Sequence, residues 1–262
     1  MQRNLEGKSI VVTGAARGIG KAMAEGLASE GARLIIADID EDAAAATAEG
    51  IVAAGGAAWS VQVDVTDRAR VKAMIGRAVR ENGRLDIIFN NAGIAQTKPF
   101  LDITEADWRR MLDVNALGVL ICMQEAVKQL LSQGQGGKII NTASVAAKQC
   151  YDPLAHYGAS KFAVAALTQA AARAFGANGI TVNAICPGIV ATDMWKTIED
   201  GFQTAGLTTK PNEAMDAFSS MITLKRPSTP ADIVGVAKFL ASAGADYMTG
   251  QTVIIDGGMI MD

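Results

Sequence analysis

Tyr157 and Lys161 stand four residues apart in the run Tyr157-Gly158-Ala159-Ser160-Lys161. On a helix that spacing puts a phenol and an ammonium on one face. A free tyrosine ionises near pH 10, so it is a poor general base at neutral pH unless a nearby cation favours the phenolate. Lowering it by about three units takes about 4 kcal/mol, within reach of one or two positive charges in a partly desolvated cleft. The pair is therefore a candidate for proton transfer. The same spacing also suits an ordinary contact between helical neighbours, so the elements around it must decide.

A second run, Thr13-Gly14-Ala15-Ala16-Arg17-Gly18-Ile19-Gly20, follows the apolar Ile10-Val11-Val12 and leads into a segment of helical length. Glycines in such a turn let backbone N–H groups and the helix N-terminus approach a pyrophosphate, where the helix dipole favours anions. Glycine serves any tight turn, and the reading gains its weight from context: a strand before, a helix after, and Asp38 at the tip of the next strand, Arg33 to Ala37. A carboxylate there accepts both ribose hydroxyls of NAD and repels the 2′-phosphate of NADP. Arg17 pulls the other way, because a guanidinium pairs with that phosphate. The positions after the strand, Ile39 and Asp40, supply no second cation. NAD is therefore the expected cofactor, and its oxidised nicotinamide would add a second positive charge near Tyr157. Asp38 or Asp40 can also cap the following helix.

Short apolar runs alternate with Ala-rich segments along the chain. Ile10 to Val12, Leu34 to Ile36, Val61 to Val63, Ile87 to Phe89, Ile139-Ile140, Thr181 to Ile185 and Val253 to Ile255 read as seven strands. Between them lie helices over Lys21 to Glu30, Asp42 to Ala54, Arg68 to Arg80, Thr104 to Leu131, about His156 to Phe175 and about Ala231 to Leu240. Consecutive apolar positions suit strands covered on both faces, so the expected fold is α/β: one Rossmann-type domain, residues 1–262, with a doubly wound parallel seven-stranded sheet between helices. Pro187 to Pro230 breaks the rhythm with a long polar stretch after a strand end, where ligands bind in such sheets. It reads as a substrate lid at about 188–230 with short helices, the alternative being a disordered insertion.

Composition narrows the chemistry. Of 262 residues 50% are hydrophobic, and 24 Lys+Arg face 27 Asp+Glu for a net charge of −3, so no basic footprint for nucleic acid or an anionic membrane is present. Cys122, Cys150 and Cys186 fit no disulfide framework and read as reduced thiols. With His156 as the sole histidine, a zinc site or a Ser-His-Asp hydrolase is disfavoured, and no G-x-S-x-G elbow occurs. The uncharged run Ala174 to Thr192 carries Gly, Asn and Pro unsuited to a membrane span, and MQRNLEGK does not read as a signal peptide. The expected compartment is the cytoplasm.

In this order and spacing, the motifs resemble the short-chain dehydrogenase/reductase family, in its NAD-dependent subgroup, over nearly the whole chain. Thr13 to Gly20 is similar to the family's nucleotide loop, Asn90-Asn91-Ala92-Gly93 to its motif after the fourth strand, and Asn115 to its helix-four asparagine. Ser144, thirteen residues before Tyr157, is similar to the catalytic serine, Tyr157 to Lys161 to the Tyr-x-x-x-Lys motif, and Cys186 to Thr192 to the nicotinamide segment. The resemblance implies that Tyr157 exchanges the proton at the carbinol oxygen and that Ser144 hydrogen-bonds the same oxygen. Lys161 would lower the tyrosine pKa and hold the nicotinamide ribose, and Asn115 would anchor a water linking Lys161 to solvent. Hydride would pass directly between substrate and nicotinamide with no metal. The cofactor would lie along Gly14, Arg17, Gly18, Ile19 and Asp38, with Asp64 and Val65 at the adenine and Asn91, Ala92 and Gly93 at the adenosine ribose. Pro187, Gly188, Val190 and Thr192 would meet the nicotinamide. Each of these also has a plain structural reading, with Asp64 as a cap, Asn91 as a turn former, Pro187 as a strand terminator and Thr192 as a loop hydroxyl.

The C-terminal third resembles acetoin reductases, butanediol dehydrogenases and bacterial polyol dehydrogenases, which implies a small vicinal diol or sugar alcohol and its ketone as the substrate pair. Those relatives often carry Gln after the catalytic serine, where this chain has Val145. Ile94, Gln96, Gln149, Met194 and Trp195 are pocket candidates by position, with Gln149 and Trp195 expected at the substrate beside Ser144 and Tyr157. His156 reads as structural, and Met259 and Met261 as packing a subunit interface. The family implies a homotetramer through the helices carrying Asn115 and Tyr157. An NADP-dependent 3-oxoacyl or hydroxysteroid-type reductase is the nearest alternative. A dinucleotide-binding sensor without turnover is the more distant one, and the Ser144, Tyr157 and Lys161 set argues against it.

Overall fold

A computed structural model describes residues 4–261. Its centre is a seven-stranded sheet built from β1 (Ser9–Thr13), β2 (Arg33–Asp38), β3 (Ala57–Gln62), β4 (Ile87–Asn90), β5 (Gly137–Thr142), β6 (Ile180–Pro187) and β7 (Thr252–Ile255). The spatial order is β3-β2-β1-β4-β5-β6-β7, and every pairing is parallel. β1 and β4 are buried at every position, which is why they read as unbroken apolar runs: helices cover both faces. Two core clusters lie on opposite faces, one around Val11, Ile35, Ile88 and Ile139, the other around Ile10, Val12, Leu34 and Phe89. Side chains of alternating direction along each strand feed the two layers.

The helices are α1 (Gly18–Ser29), α2 (Glu41–Ala53), α3 (Arg68–Asn82), α4 (Glu105–Leu112), α5 (Gly118–Gln133), α6 (Ala155–Phe175), α7 (Asp193–Thr204), α8 (Glu213–Ser220) and α9 (Pro230–Ala241). Their starts are written in polar side chains. Asp40 accepts from Ala43 N at 3.2 Å, Asp67 from Ala69 N at 2.9 Å, and Thr104 with Asp107 forms a capping box. Asp40, and not Asp38, is thus the cap of α2. β3 starts earlier than the apolar run Val61 to Val63, because Ala57 and Ala58, small and weakly apolar, pair with Arg33 and Leu34.

The single helix expected over Thr104 to Leu131 is interrupted. Between α4 and α5 the chain makes one π-helical turn, Asp113–Leu117, with Asn115 buried in it. Such a bulge adds a residue to the turn and changes which side chain faces inward. The run Glu105–Gln133 is long and apolar enough to cross a membrane, and in this fold it packs against α3 and α6. The polar stretch after β6 folds as α7 and α8 around a small core of its own, with Trp195, Ile198, Phe202, Ala214 and Ile222. Glu199, buried on α7, accepts from Ala214 N at 3.2 Å and Met215 N at 3.0 Å and so joins the two helices. Thr97 Oγ1 donates to Ile198 O at 3.0 Å and holds α7 from the other side.

A candidate dinucleotide and catalytic site

The sheet order reverses between β1 and β4, and the crevice beyond the strand ends at such a switch point is where open α/β sheets take ligands. A cavity of about 690 Å³ occupies it. One end is the turn between β1 and α1. Gly14 has φ +63° and a Cβ there would lie 2.8 Å from Ala92 Cα, so only glycine fits. A Cβ on Gly20 would stand 2.1 Å from Gly14 O. Arg17, at the N-cap of α1, makes no side-chain cap, and no acidic residue sits in the first turn. The positive end of a twelve-residue helix therefore opens on the cavity with no acidic residue in its own first turn.

Asn91 binds this loop to β4. Its Nδ2 donates to Thr13 O and Gly14 O, both at 3.1 Å, while Thr13 Oγ1 accepts from Asn91 N at 3.0 Å and Ala92 N at 3.1 Å. Asp38 accepts from Ala16 N at 3.0 Å and from Asp40 N at 3.2 Å, which fixes the carboxylate at the cavity wall. Asp64 accepts from the main chain and hydroxyl of Thr66 at 2.9 and 2.7 Å, closing a turn that also lines the cavity.

At the other end stand Ser144, Tyr157 and Lys161. Ser144 follows β5 and accepts from Ala146 N at 3.1 Å, while α6 carries Tyr157 and Lys161. The Lys161 ammonium is 5.6 Å from the centre of the Tyr157 ring and donates to Thr142 O at 2.9 Å. Burial pushes Lys161 down to about 8, far below an ordinary lysine. Burial also pushes the Tyr157 phenol up, against a hydrogen bond with Ser144 that favours the phenolate. Desolvation is thus the largest influence on both groups, and it opposes the acidification of the phenol expected from its amine neighbour.

Asn115 is committed to protein partners. Its Oδ1 accepts from Ile94 N at 2.8 Å, and its Nδ2 donates to Ile94 O at 2.9 Å and to Ser160 Oγ at 3.0 Å. Ser160 Oγ donates in turn to Tyr157 O at 2.6 Å. The side chain therefore clamps the loop after β4 to the first turns of α6. Asn115→Ala would leave Ile94 unpaired inside the fold, at a cost of about 2 kcal/mol. Urea unfolding of that variant should show a lower midpoint at unchanged slope.

The cavity collects Gly14, Arg17, Gly18, Ile19, Asp38, Asp64, Val65, Asn91, Ala92, Gly93, Ser144, Tyr157, Lys161, Pro187, Gly188, Val190, Thr192 and Trp195. Asn115 stands behind its wall. Gln149 does not reach it: the short 3-10 turn Val145–Ala147 swings the chain outward, and Gln149 is exposed. Of the other pocket candidates Ile94 and Met194 line the cavity. Gln96 faces away, donating to Asp107 at 3.0 Å and facing His156 Nε2 at 3.0 Å with its oxygen. Because the Gln96 amide must point at the carboxylate, His156 donates from Nε2, and burial lowers its pKa and keeps it neutral. Met259 lines the cavity and packs on the α7–α8 core. Tyr151, Leu154, Ile198 and Phe218 complete the wall near Ser144. The last two were not among the expected pocket residues: they lie in the stretch that lacks a strand-and-helix rhythm in the sequence, and folds as α7 and α8.

An elongated cavity with an uncapped helix N-terminus and a carboxylate at one end, and a phenol with a buried ammonium at the other, fits a dinucleotide. The family model described as enoyl-(acyl carrier protein) reductase matches residues 14–260. The chain is 43% identical over 256 residues to L-2,3-butanediol dehydrogenase of Corynebacterium glutamicum, covering 97% of this chain and 98% of that one. It is 42% identical over 255 residues to galactitol 2-dehydrogenase of Agrobacterium fabrum, with the same two coverages. A solved short-chain type dehydrogenase/reductase from Mycobacterium marinum superposes with a TM-score of 0.91 at 33% identity, over 100% of this chain and 98% of that one. The chain belongs to the short-chain dehydrogenase/reductase family.

Proposed function

We propose that the protein is an NAD-dependent oxidoreductase that interconverts a secondary alcohol of a polyol or vicinal diol and its ketone. The observation that carries this is the single cavity joining the α1 N-terminus and Asp38 to Ser144, Tyr157 and Lys161. The relatives named for butanediol and galactitol, similar over nearly their whole length, support the substrate class. Gly14, Gly18 and Ile19 would hold the pyrophosphate, Asp38 the adenosine ribose, and Lys161 the nicotinamide ribose. A bound nicotinamide supplies the hydride acceptor or donor.

The chain's own residues handle the oxygen and its proton. With its pKa raised, Tyr157 keeps its proton at neutral pH and is a ready donor to a carbonyl oxygen; Ser144 stabilises the charge that develops there. In the alcohol direction the phenol must first lose that proton, which Lys161 in its charged form and an oxidised nicotinamide would favour. Val145, Leu154, Ile189, Ile198 and Phe218 give the substrate end an apolar wall, suited to the carbon skeleton of a small diol. The helices α7 and α8 are read as the substrate lid. The exposed Trp108, Leu117 and Phe162 on α4, the π turn and α6 support a homotetramer through these helices. The three free cysteines suit the cytoplasm.

The test is a panel of sugar alcohols, diols and their ketones with NAD(H) and NADP(H) at neutral and alkaline pH. Ketone reduction with NADH should dominate near neutrality, and alcohol oxidation should rise as pH climbs toward the phenol's pKa. Turnover confined to acyl thioesters with NADPH would contradict this reading, and so would dinucleotide binding with no turnover on any member.

A further inference from the structure

Four charged side chains line the adenosine end of the cavity: Arg17 on the loop before α1, Asp38 at the tip of β2, Asp40 two residues on, and Asp64, whose carboxylate is turned onto Thr66. Arg17 is ion-paired with one oxygen of Asp40. The other oxygen of Asp40 accepts from Ala43 N at 3.2 Å, so the carboxylate is anchored from behind by the helix it caps. Asp38 makes no ion pair with Arg17; its oxygens take the main-chain N–H groups of Ala16 and Asp40. Asp193, at the start of α7, also lies in the field of Arg17, but it is held by Lys196 at 2.8 Å.

We propose that Asp40 is a specificity-determining residue of this cavity, which withholds Arg17 from a ribose 2′-phosphate so that discrimination against NADP rests on the Arg17–Asp40 pair as well as on Asp38. The proposal rests on the NAD reading. A free guanidinium at the adenosine end is the group that recognises a 2′-phosphate, through paired N–H donors matched to its oxygens. Among the described residues Arg17 is the one cation at this end, and one arm of its fork, Nη2, is already held by Asp40. Asp40 also adds a negative charge of its own, which a dianionic phosphate would have to approach. The two side chains remain 61% and 39% exposed. A pair in that setting is a weak tether, so releasing Arg17 changes the ratio of affinities and does not invert it outright.

Isothermal titration of NAD and of NADP at fixed ionic strength reads this without turnover. The proteins are wild type, Asp40→Asn, and Asp40→Asn combined with Arg17→Ala. Asparagine is as good a helix N-cap as aspartate, so the first variant removes the charge and keeps the start of α2. Wild type should bind NAD more tightly than NADP. Asp40→Asn should gain about tenfold in NADP affinity with NAD affinity changed by less than about threefold, and loss of Arg17 should abolish the gain. An unchanged NADP affinity in Asp40→Asn, or a gain that survives removal of Arg17, overturns the role of Asp40 and leaves the NAD reading standing. A wild type that binds NADP more tightly contradicts the NAD reading itself.

Discussion

Tyr157→Phe is expected to lower turnover by about 10³-fold, equivalent to about 4 kcal/mol of transition-state stabilisation, while NAD binds within about twofold of wild type. The substitution removes one oxygen. In the proposed reaction that oxygen carries the proton exchanged with the substrate, whereas the Tyr157 ring stays to fill the wall beside Lys161. The residues proposed to hold the phosphates and adenosine line the other end of the cavity and are untouched. Steady-state kinetics with both a diol and its ketone, together with a fluorescence titration of NADH, separate the two effects. Turnover within tenfold of wild type would remove Tyr157 from the proton-transfer role.

Lys161→Met should change how stability depends on pH. Burial holds the folded-state pKa of Lys161 at about 8, below the ordinary 10.5. Between those values the folded protein has released a proton that the unfolded chain still binds, so the unfolding free energy rises with pH through that window. The full difference is about 3 kcal/mol. Cys122, Cys150 and Tyr157, all raised by burial, act in the opposite sense at alkaline pH, because the folded state keeps protons there that the unfolded chain loses. They are present in both proteins, so the difference in urea-derived stability, wild type minus Lys161→Met, isolates the lysine. That difference should climb from about pH 8 upward. A flat difference would mean that Lys161 is not buried as a cation. The same variant should lose turnover, since it removes the charge that favours the phenolate in alcohol oxidation.

The seven strands, their helices and most of the residues that line the cavity were legible because each depends on local patterning: consecutive apolar positions for doubly covered strands, and glycines where backbone must meet backbone. The features that were not legible depend on what folds against what. The phenol was expected to be acidified by Lys161, four residues along α6. Spacing reports the neighbour but not the desolvation, and burial moves both groups the other way. Gln149 follows Ser144 closely, yet the 3-10 turn after Ser144 sends it to solvent. The π turn at Asn115 leaves no mark in a helical period of this length; from it Asn115 hydrogen-bonds to Ile94, twenty-one residues earlier. The capping ambiguity between Asp38 and Asp40 resolves only with coordinates, since both are carboxylates near a helix start and only one reaches Ala43 N.

A crystal structure of the protein with bound NAD tests the central claim most directly. The predicted result places the pyrophosphate at the N-terminus of α1, a ribose on Asp38, and the nicotinamide ring between the Pro187 to Thr192 segment and the hydroxyls of Ser144 and Tyr157. A dinucleotide seated elsewhere, or a Tyr157 hydroxyl turned away from the nicotinamide, would contradict it.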